Sequence, residues 1–239
     1  MARRYFVDSL PAPGPASLRG DAVHHIWDVL RAEPGAQVVL ADGRGGECTA
    51  RIDGRRGGEL LLTAAPAVHV PPPRVKVHLA FAPPRFARAE WLFEHGTEVG
   101  VAVFHPLTTE RARPHGEARG DRWQKIVRAA AGQCDRAWLP EVRPLRALRE
   151  FVADASLPKD RRLATAGAPP PSPPVQRDGD GEVVLLVGPE GGFAADEQEL
   201  ARAHGFSPMG LGPHVLRTET AALVGAAALL LAATAIRTS

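Results

Sequence analysis

The 239-residue chain has few cysteines, few lysines and no long run of strongly apolar residues, and each shortage narrows its class. Cys48 and Cys134 lie far apart and outside any CxxC pattern, which argues against a disulfide framework or a zinc site. A reducing compartment, the cytoplasm, fits this cysteine usage. The uncharged run from Thr220 to Ile236 is shorter than the roughly 20 residues needed to span a bilayer, and nearly half of it is alanine. Alanine favours helix but contributes little transfer energy, so a buried core or interface helix is expected there, with no membrane. The N-terminus turns acidic at Asp8 before an apolar stretch develops, so no signal peptide is expected. Neither a P-loop nor a G-x-G-x-x-G fingerprint is found beside the glycine turns described below.

What remains is an ordinary globular composition, 44% apolar and 23% charged, with a formal charge of +2. Charge is distributed unevenly. Residues 1–72 balance eight arginines against eight acids, whereas residues 110–149 carry ten basic groups against five acids. The only lysines are Lys76, Lys125 and Lys159. Arginine grips phosphate in bidentate fashion and stacks on bases, so the bias suits RNA contact, although a coding preference explains it equally well.

Two domains are expected, 1–70 and 74–239, separated by the stiff spacer Pro71-Pro72-Pro73. The first reads as a compact, mainly β unit. Tyr5-Phe6-Val7, residues 37–41, 47–52 and 59–64 are strand-like, and Val23, Ile26, Trp27 and Leu30 fall on one helical face. Beyond the spacer, strands and helices alternate. Strands are predicted at 75–81, 101–107, 162–166, 183–187 and 208–211, and helices at 86–99, 121–134, near 150–152, 195–204 and from 218 onward. Trp91 and Trp123 fit the apolar stripes of their helices and are expected in the core. Residues 169–182, rich in proline and glycine, read as a loop.

Two glycine turns follow strand-like runs: Gly188-Pro189-Glu190-Gly191-Gly192, and Leu211-Gly212-Pro213-His214. A turn at the carboxyl edge of an α/β sheet is a usual ligand position. Glu190 would repel phosphate, so a cationic or neutral ligand held by backbone groups fits better. Asp196 and Glu199 have the spacing of a capping box for the helix after the first turn. Thr218 is a plausible N-cap for the last helix, and Glu219 suits its positive end. Arg217 is unfavourable there unless it serves a ligand or partner.

Leu186-Val187-Gly188-Pro189-Glu190-Gly191-Gly192-Phe193, with Leu211 through Ala221, resembles the SPOUT methyltransferases, and within them the ribosomal RNA small subunit methyltransferase E family. The likeness extends to Thr97-Glu98-Val99-Gly100-Val101, Glu110-Arg111, Arg122-Trp123-Gln124-Lys125-Ile126, Gln133, Arg136 and Pro140, and to His24, Val29-Leu30-Arg31 and Asp42-Gly43. His95 and Gly132 depart from the family pattern, which has Lys and Glu there. The resemblance implies a small PUA-like RNA-binding β-barrel followed by an α/β trefoil-knot methyltransferase domain, acting as a homodimer. It implies S-adenosylmethionine as cofactor, bound by Leu186, Gly188, Glu190, Gly191, Leu211, Gly212 and Leu216. The implied reaction is methylation of N3 of a uridine in 16S rRNA of the small ribosomal subunit. For that reaction Arg217 is the candidate stabiliser of the uridine anion and Glu219 the candidate base or orienter. Arg111, Arg122, Lys125 and Arg128 are candidate RNA contacts. A related enzyme acting on another rRNA or tRNA position, or a non-catalytic RNA-binding protein, is the alternative.

Overall fold

The computed structural model describes residues 3–20, 23, 26–27, 32–112, 120–175 and 180–235. The expected positions His24, His25, Val29, Leu30 and Arg31 lie outside them. The chain divides into two compact units, residues 1–72 with 128–139, and residues 73–127 with 140–239.

The first unit is built on one six-stranded sheet. Its strands are β1 (Arg3–Phe6), β2 (Gly14–Leu18), β3 (Gln37–Ala41), β4 (Gly46–Arg56), β5 (Glu59–Ala64) and β6 (Val68–His69). The order is β1-β3-β4-β5-β2, with β6 against β4. Alternation on β5 turns Leu60, Leu62 and Ala64 inward onto Leu40, Ala50 and Ile52. Val23 and Ile26 are buried in the same core, and Trp27 packs at its margin. β4 is longer than its predicted 47–52 because a register shift between Ile52 and Gly54 lets the strand bend and continue. The turn before β4 is set by Asp42, whose Oδ1 accepts the backbone N–H groups of Arg44 and Gly46. β2 escapes prediction because its sequence, GPASL, carries a glycine and a proline and little apolar bulk.

The second unit holds β7 (Val75–Phe81), α1 (Phe86–Val99), β8 (Val103–Thr108), β9 (Glu141–Val142), β10 (Arg146–Ala147), α3 (Leu148–Val152), β11 (Asp160–Ala164), β12 (Gly181–Val187), α4 (Ala195–Ala203), β13 (Ser207–Met209) and α5 (Thr218–Ala235). Helix α2 (Gly120–Gln133) contributes residues 120–127 here and 128–133 to the first unit. The sheet order is β10-β8-β7-β12-β11-β13 with β9 against β8, and every recorded pairing is parallel. Its strands are nearly continuous apolar runs because both faces are covered. Val77, Leu79, Phe81 and Leu185 meet Leu92, Phe93, Trp123, Ala222, Ala226 and Leu229 on one face. Ala80, Val184 and Leu186 meet Phe151, Val152, Ala201 and Phe206 on the other.

Three predictions need correction. Trp91 is 41% exposed and stacks on His95 at 4.2 Å, because Leu92 and Phe93 carry the buried stripe of α1. Trp123 is buried as expected, against Phe93. β11 begins two residues early, at Asp160, and β13 ends at Met209 before the glycine turn. Among the described residues no helix is long and apolar enough to cross a membrane.

Glycines permit three close approaches. Gly100 ends α1 in the left-handed region at φ 118°, its N–H on the Gly96 carbonyl. A Cβ at Gly225 of α5 would lie 2.6 Å from a methyl of Leu185, so α5 sits directly on β12. At Gly210 a Cβ would stand 2.0 Å from the Ala168 carbonyl oxygen, and the Gly210 N–H bonds Pro169 instead. Only glycine lets the chain pass there.

Candidate active site

Both glycine turns leave the carboxyl ends of parallel strands, Gly188 directly after β12 and Leu211 two residues after β13. The 109–112 segment leaves the same edge after β8, and the first turn of α1 follows β7. One edge of the sheet therefore gathers four segments that are distant in sequence, the place where open α/β sheets bind ligands.

Side chains tie these segments together. Gly192 adopts φ 70° and closes the first turn through its N–H on the Pro189 carbonyl, 2.8 Å. Phe193 folds back so that a Cβ at Gly188 would lie 3.1 Å from its ring. Thr218, buried, donates its hydroxyl to the Gly188 carbonyl at 3.0 Å and so ties the first turn to the start of α5. That bond corrects its expected role. Arg217 occupies the cap position, its carbonyl accepting the Ala221 N–H, while the Thr218 hydroxyl reaches across to the first turn.

The predicted capping box is also displaced. Helix α4 is capped at Ala194, and the acid that reaches back is Glu197 rather than Glu199. Asp196 instead pairs with Arg149 at the surface. Buried Glu197 accepts the Ala194 N–H at 3.0 Å and, through its other oxygen, the Glu110 N–H at 2.8 Å. It locks the 109–112 segment to the first turn. The spacing from the Gly-Gly turn was the only available signal for it, and Glu199 matched the box equally well.

The predicted cofactor residues come together at this edge. Leu186 is fully buried in the core and lies inside β12 between Ala80 of β7 and Leu163 of β11, so it supports the turn from below rather than facing the open edge. A Cβ at Gly212 would meet nothing within 4 Å, so the second turn has an open side. Leu211 and Leu216 are half-buried, with apolar surface available to a flat ring. Glu190 is exposed, and its carboxylate is held by Arg88 from α1. Arg88 also stands 3.8 Å from Glu219, which is only 7% exposed. The second oxygen of Glu219, Oε2, is buried with no donor among the described residues. A buried acceptor without a protein partner is costly, so a donor from a ligand or from water is expected to meet it there. Arg217 is exposed and forms no ion pair among the described residues. The prediction missed Arg88, because nothing local to residues 86–90 signals two carboxylates about a hundred positions away.

The candidate RNA contacts divide. Arg111 donates to the Gly191 carbonyl at 2.8 Å, so it shapes the turn while remaining exposed. Arg122 is exposed and forms a two-bond fork onto Glu90. Arg128 donates to the Phe6 carbonyl at 2.7 Å and lies over that ring. Lys125 is exposed with no acceptor among the described residues. The departures from the expected pattern have local explanations: His95 bonds the Trp91 carbonyl, and Gly132 passes so close to the Arg4 carbonyl that a Cβ would lie 2.9 Å away.

Comparison with known proteins bears directly on this arrangement. A family described as an RNA methyltransferase domain matches residues 71–230, and one described as an RNA methyltransferase PUA domain matches residues 18–62. The chain is 35% identical over 240 residues to Ribosomal RNA small subunit methyltransferase E of Mycobacterium bovis, covering 94% of this chain and 89% of that protein. It is 34% identical to the protein of the same name from Synechocystis, covering 86% and 69%. A methyltransferase of Legionella pneumophila, solved with bound SAM, superposes with a TM-score of 0.87 at 32% identity, covering 97% of this chain and 98% of that one. Ribosomal RNA small subunit methyltransferase E of Neisseria gonorrhoeae, solved with S-adenosyl methionine, gives 0.86 at 27% identity and the same coverage.

Proposed function

The chain belongs to the ribosomal RNA small subunit methyltransferase E family, and from that membership we propose that it transfers a methyl group from S-adenosylmethionine to N3 of a uridine in 16S rRNA. The observation that carries the reading is the single sheet edge from which both glycine turns leave, where Thr218 at the start of α5 holds the first turn beside buried Glu219. We place the cofactor between the turns, above Leu186, on the backbone of Gly188, Gly191 and Gly212 and the side chains of Leu211 and Leu216. These residues fit it: glycine admits backbone approach, the leucines suit an adenine ring, and an acid beside the pocket suits a sulfonium. When bound, the cofactor supplies an electrophilic methyl group. The close pass of Gly210 against Ala168 is where the family's knot would draw tight.

The protein's own part is alignment and proton handling. Methyl transfer gains most from fixing nucleophile and methyl in line, which the ties from Thr218 and Glu197 serve. N3 carries a proton that must leave, and Glu219 is the base or orienter for it, with Arg217 at the rim to stabilise developing negative charge. N3 lies on the Watson–Crick edge, so the base must enter unpaired. Arg111, Arg122, Lys125 and Arg128 would contact rRNA through phosphates. A cytoplasmic homodimer completes the reading.

Calorimetric titration with S-adenosylmethionine, then incubation of 30S subunits with labelled cofactor and mapping of the modified base, tests it. Saturable binding and 3-methyluridine in 16S rRNA are expected. No binding would remove the enzyme reading, and methylation of ribose or of tRNA would replace the substrate.

A further inference from the structure

We infer that Arg88 is a catalytic residue of the acceptor pocket, donating to a carbonyl oxygen of the target uracil while Glu219 takes the N3 proton. This rests on the N3-uridine reading given above. The geometry behind it is a mismatch of partners. Arg88 spends one terminal nitrogen on Glu190, and its Nε stands 3.8 Å from Oε1 of Glu219. On a side chain 46% exposed, its other terminal nitrogen is open to solvent and free for a ligand, whereas Oε2 of Glu219 is buried with no donor among the described residues. A spare donor and a spare acceptor thus stand side by side at the carboxyl edge of the sheet, on the first turn of α1 and the first turn of α5.

That pairing complements an imide. Uracil presents acceptor, donor, acceptor along its Watson–Crick edge: a carbonyl, the N3–H and a second carbonyl. Oε2 of Glu219 accepts the N3–H, and the guanidinium of Arg88 donates to one flanking carbonyl. Cytosine has no hydrogen on N3, so it leaves the carboxylate unpaired, and a site built on buried polar groups discriminates strongly in such cases. The same two residues then serve the chemistry. N3 gives its proton to Glu219 and uses its electron pair to form the bond to the methyl carbon, while the carbon–sulfur pair returns to sulfur. As N3 loses its proton, negative charge spreads onto the carbonyl oxygens, and a fixed cation there is worth more in that state than before it. Arg88 is well placed for this because Glu190 and Glu219 hold it from two sides.

The test is single-turnover methylation of 30S subunits at saturating S-adenosylmethionine, across a pH series, for wild type, Arg88→Ala and Arg88→Lys. Loss of the side chain is expected to slow the reaction by about 100-fold near neutral pH, the usual cost of removing one charge-stabilising donor. The deficit should narrow as pH rises, because N3 then ionises without assistance, and Arg88→Lys should recover part of the rate. A purely structural role would give a deficit that does not change with pH. Cofactor affinity by calorimetry should stay within about threefold, separating the acceptor side from the donor side. A rate within about threefold of wild type at all pH values, or a pH-independent deficit in both variants, overturns the role of Arg88 while leaving the N3 reading intact. A wild-type product methylated elsewhere than N3 overturns both.

Discussion

The parallel sheet of the second unit carries polar groups along its strands and at their carboxyl ends, and the two places treat them differently. At the start of β7 and β12, Lys76 pairs with Glu182; midway along β7 and β8, His78 and His105 stack and share a 3.3 Å contact between ring nitrogens; and Arg146, beside Leu107 of β8, pairs with Asp154. Each of these groups has a partner, although Nε of Arg146 is buried with no acceptor among the described residues. Burial first, then the neighbouring His78, Arg146 and Arg143, pushes the His105 imidazole down to about 3, so the pair is neutral in the folded protein. At the carboxyl ends of the same strands the balance fails: Glu219 keeps a buried oxygen without a donor, and Arg88 is divided between two acids. One fold supplies both environments. A perturbed titratable cluster is thus not by itself a site, whereas an unmatched donor and acceptor at a ligand-binding edge point to one.

Breaking the unmatched end should have the largest effect. Glu219→Gln is expected to lower the methylation rate by at least about 100-fold while cofactor binding by calorimetry persists; full turnover would remove Glu219 from the chemistry. Next comes the link between segments. Glu197→Ala strands the N–H groups of Glu110 and Ala194 and should cost about 2 kcal/mol in urea unfolding, with weaker cofactor binding. Unchanged stability would mean that water replaces the carboxylate. Thr218→Val keeps the volume but loses the bond to Gly188, and should weaken cofactor binding by about 1 kcal/mol, roughly fivefold.

The balanced groups offer the smallest effect at neutral pH. The folded pKa of His105 is depressed, so the unfolded chain binds a proton that the folded one does not. Its contribution is therefore present above the unfolded value near 6.5 and lost as pH falls toward 3. The slope reaches at most about 1.4 kcal/mol per pH unit. His105→Phe, beside Phe151, should flatten the fall of the melting temperature with acidification over that window. An unchanged slope would assign acid sensitivity to other groups.

Much of this was legible locally. The runs 75–81 and 183–187 announced buried strands, helical spacing announced α1 over 86–99, and the glycine turns marked the edge where the site lies. Other features depended on context. Trp91 has an apolar side chain at helical spacing, yet Leu92 and Phe93 take the core face, and the tryptophan rests on His95 instead. Glu199 stands three residues after the cap former Asp196 and Glu197 three after Ala194, yet it is Glu197 that meets the N–H groups of Ala194 and Glu110.

The sequence alone determined the element types, the alternation of strand and helix, and the two turns with their glycines, because these follow from side-chain periodicity and from φ angles that few residues adopt. Tertiary structure alone decided which charges meet. Arg88, Glu190 and Glu219 lie on three segments far apart in the chain, and an ion pair depends on distance in space, which parallel strand order sets and local pattern does not.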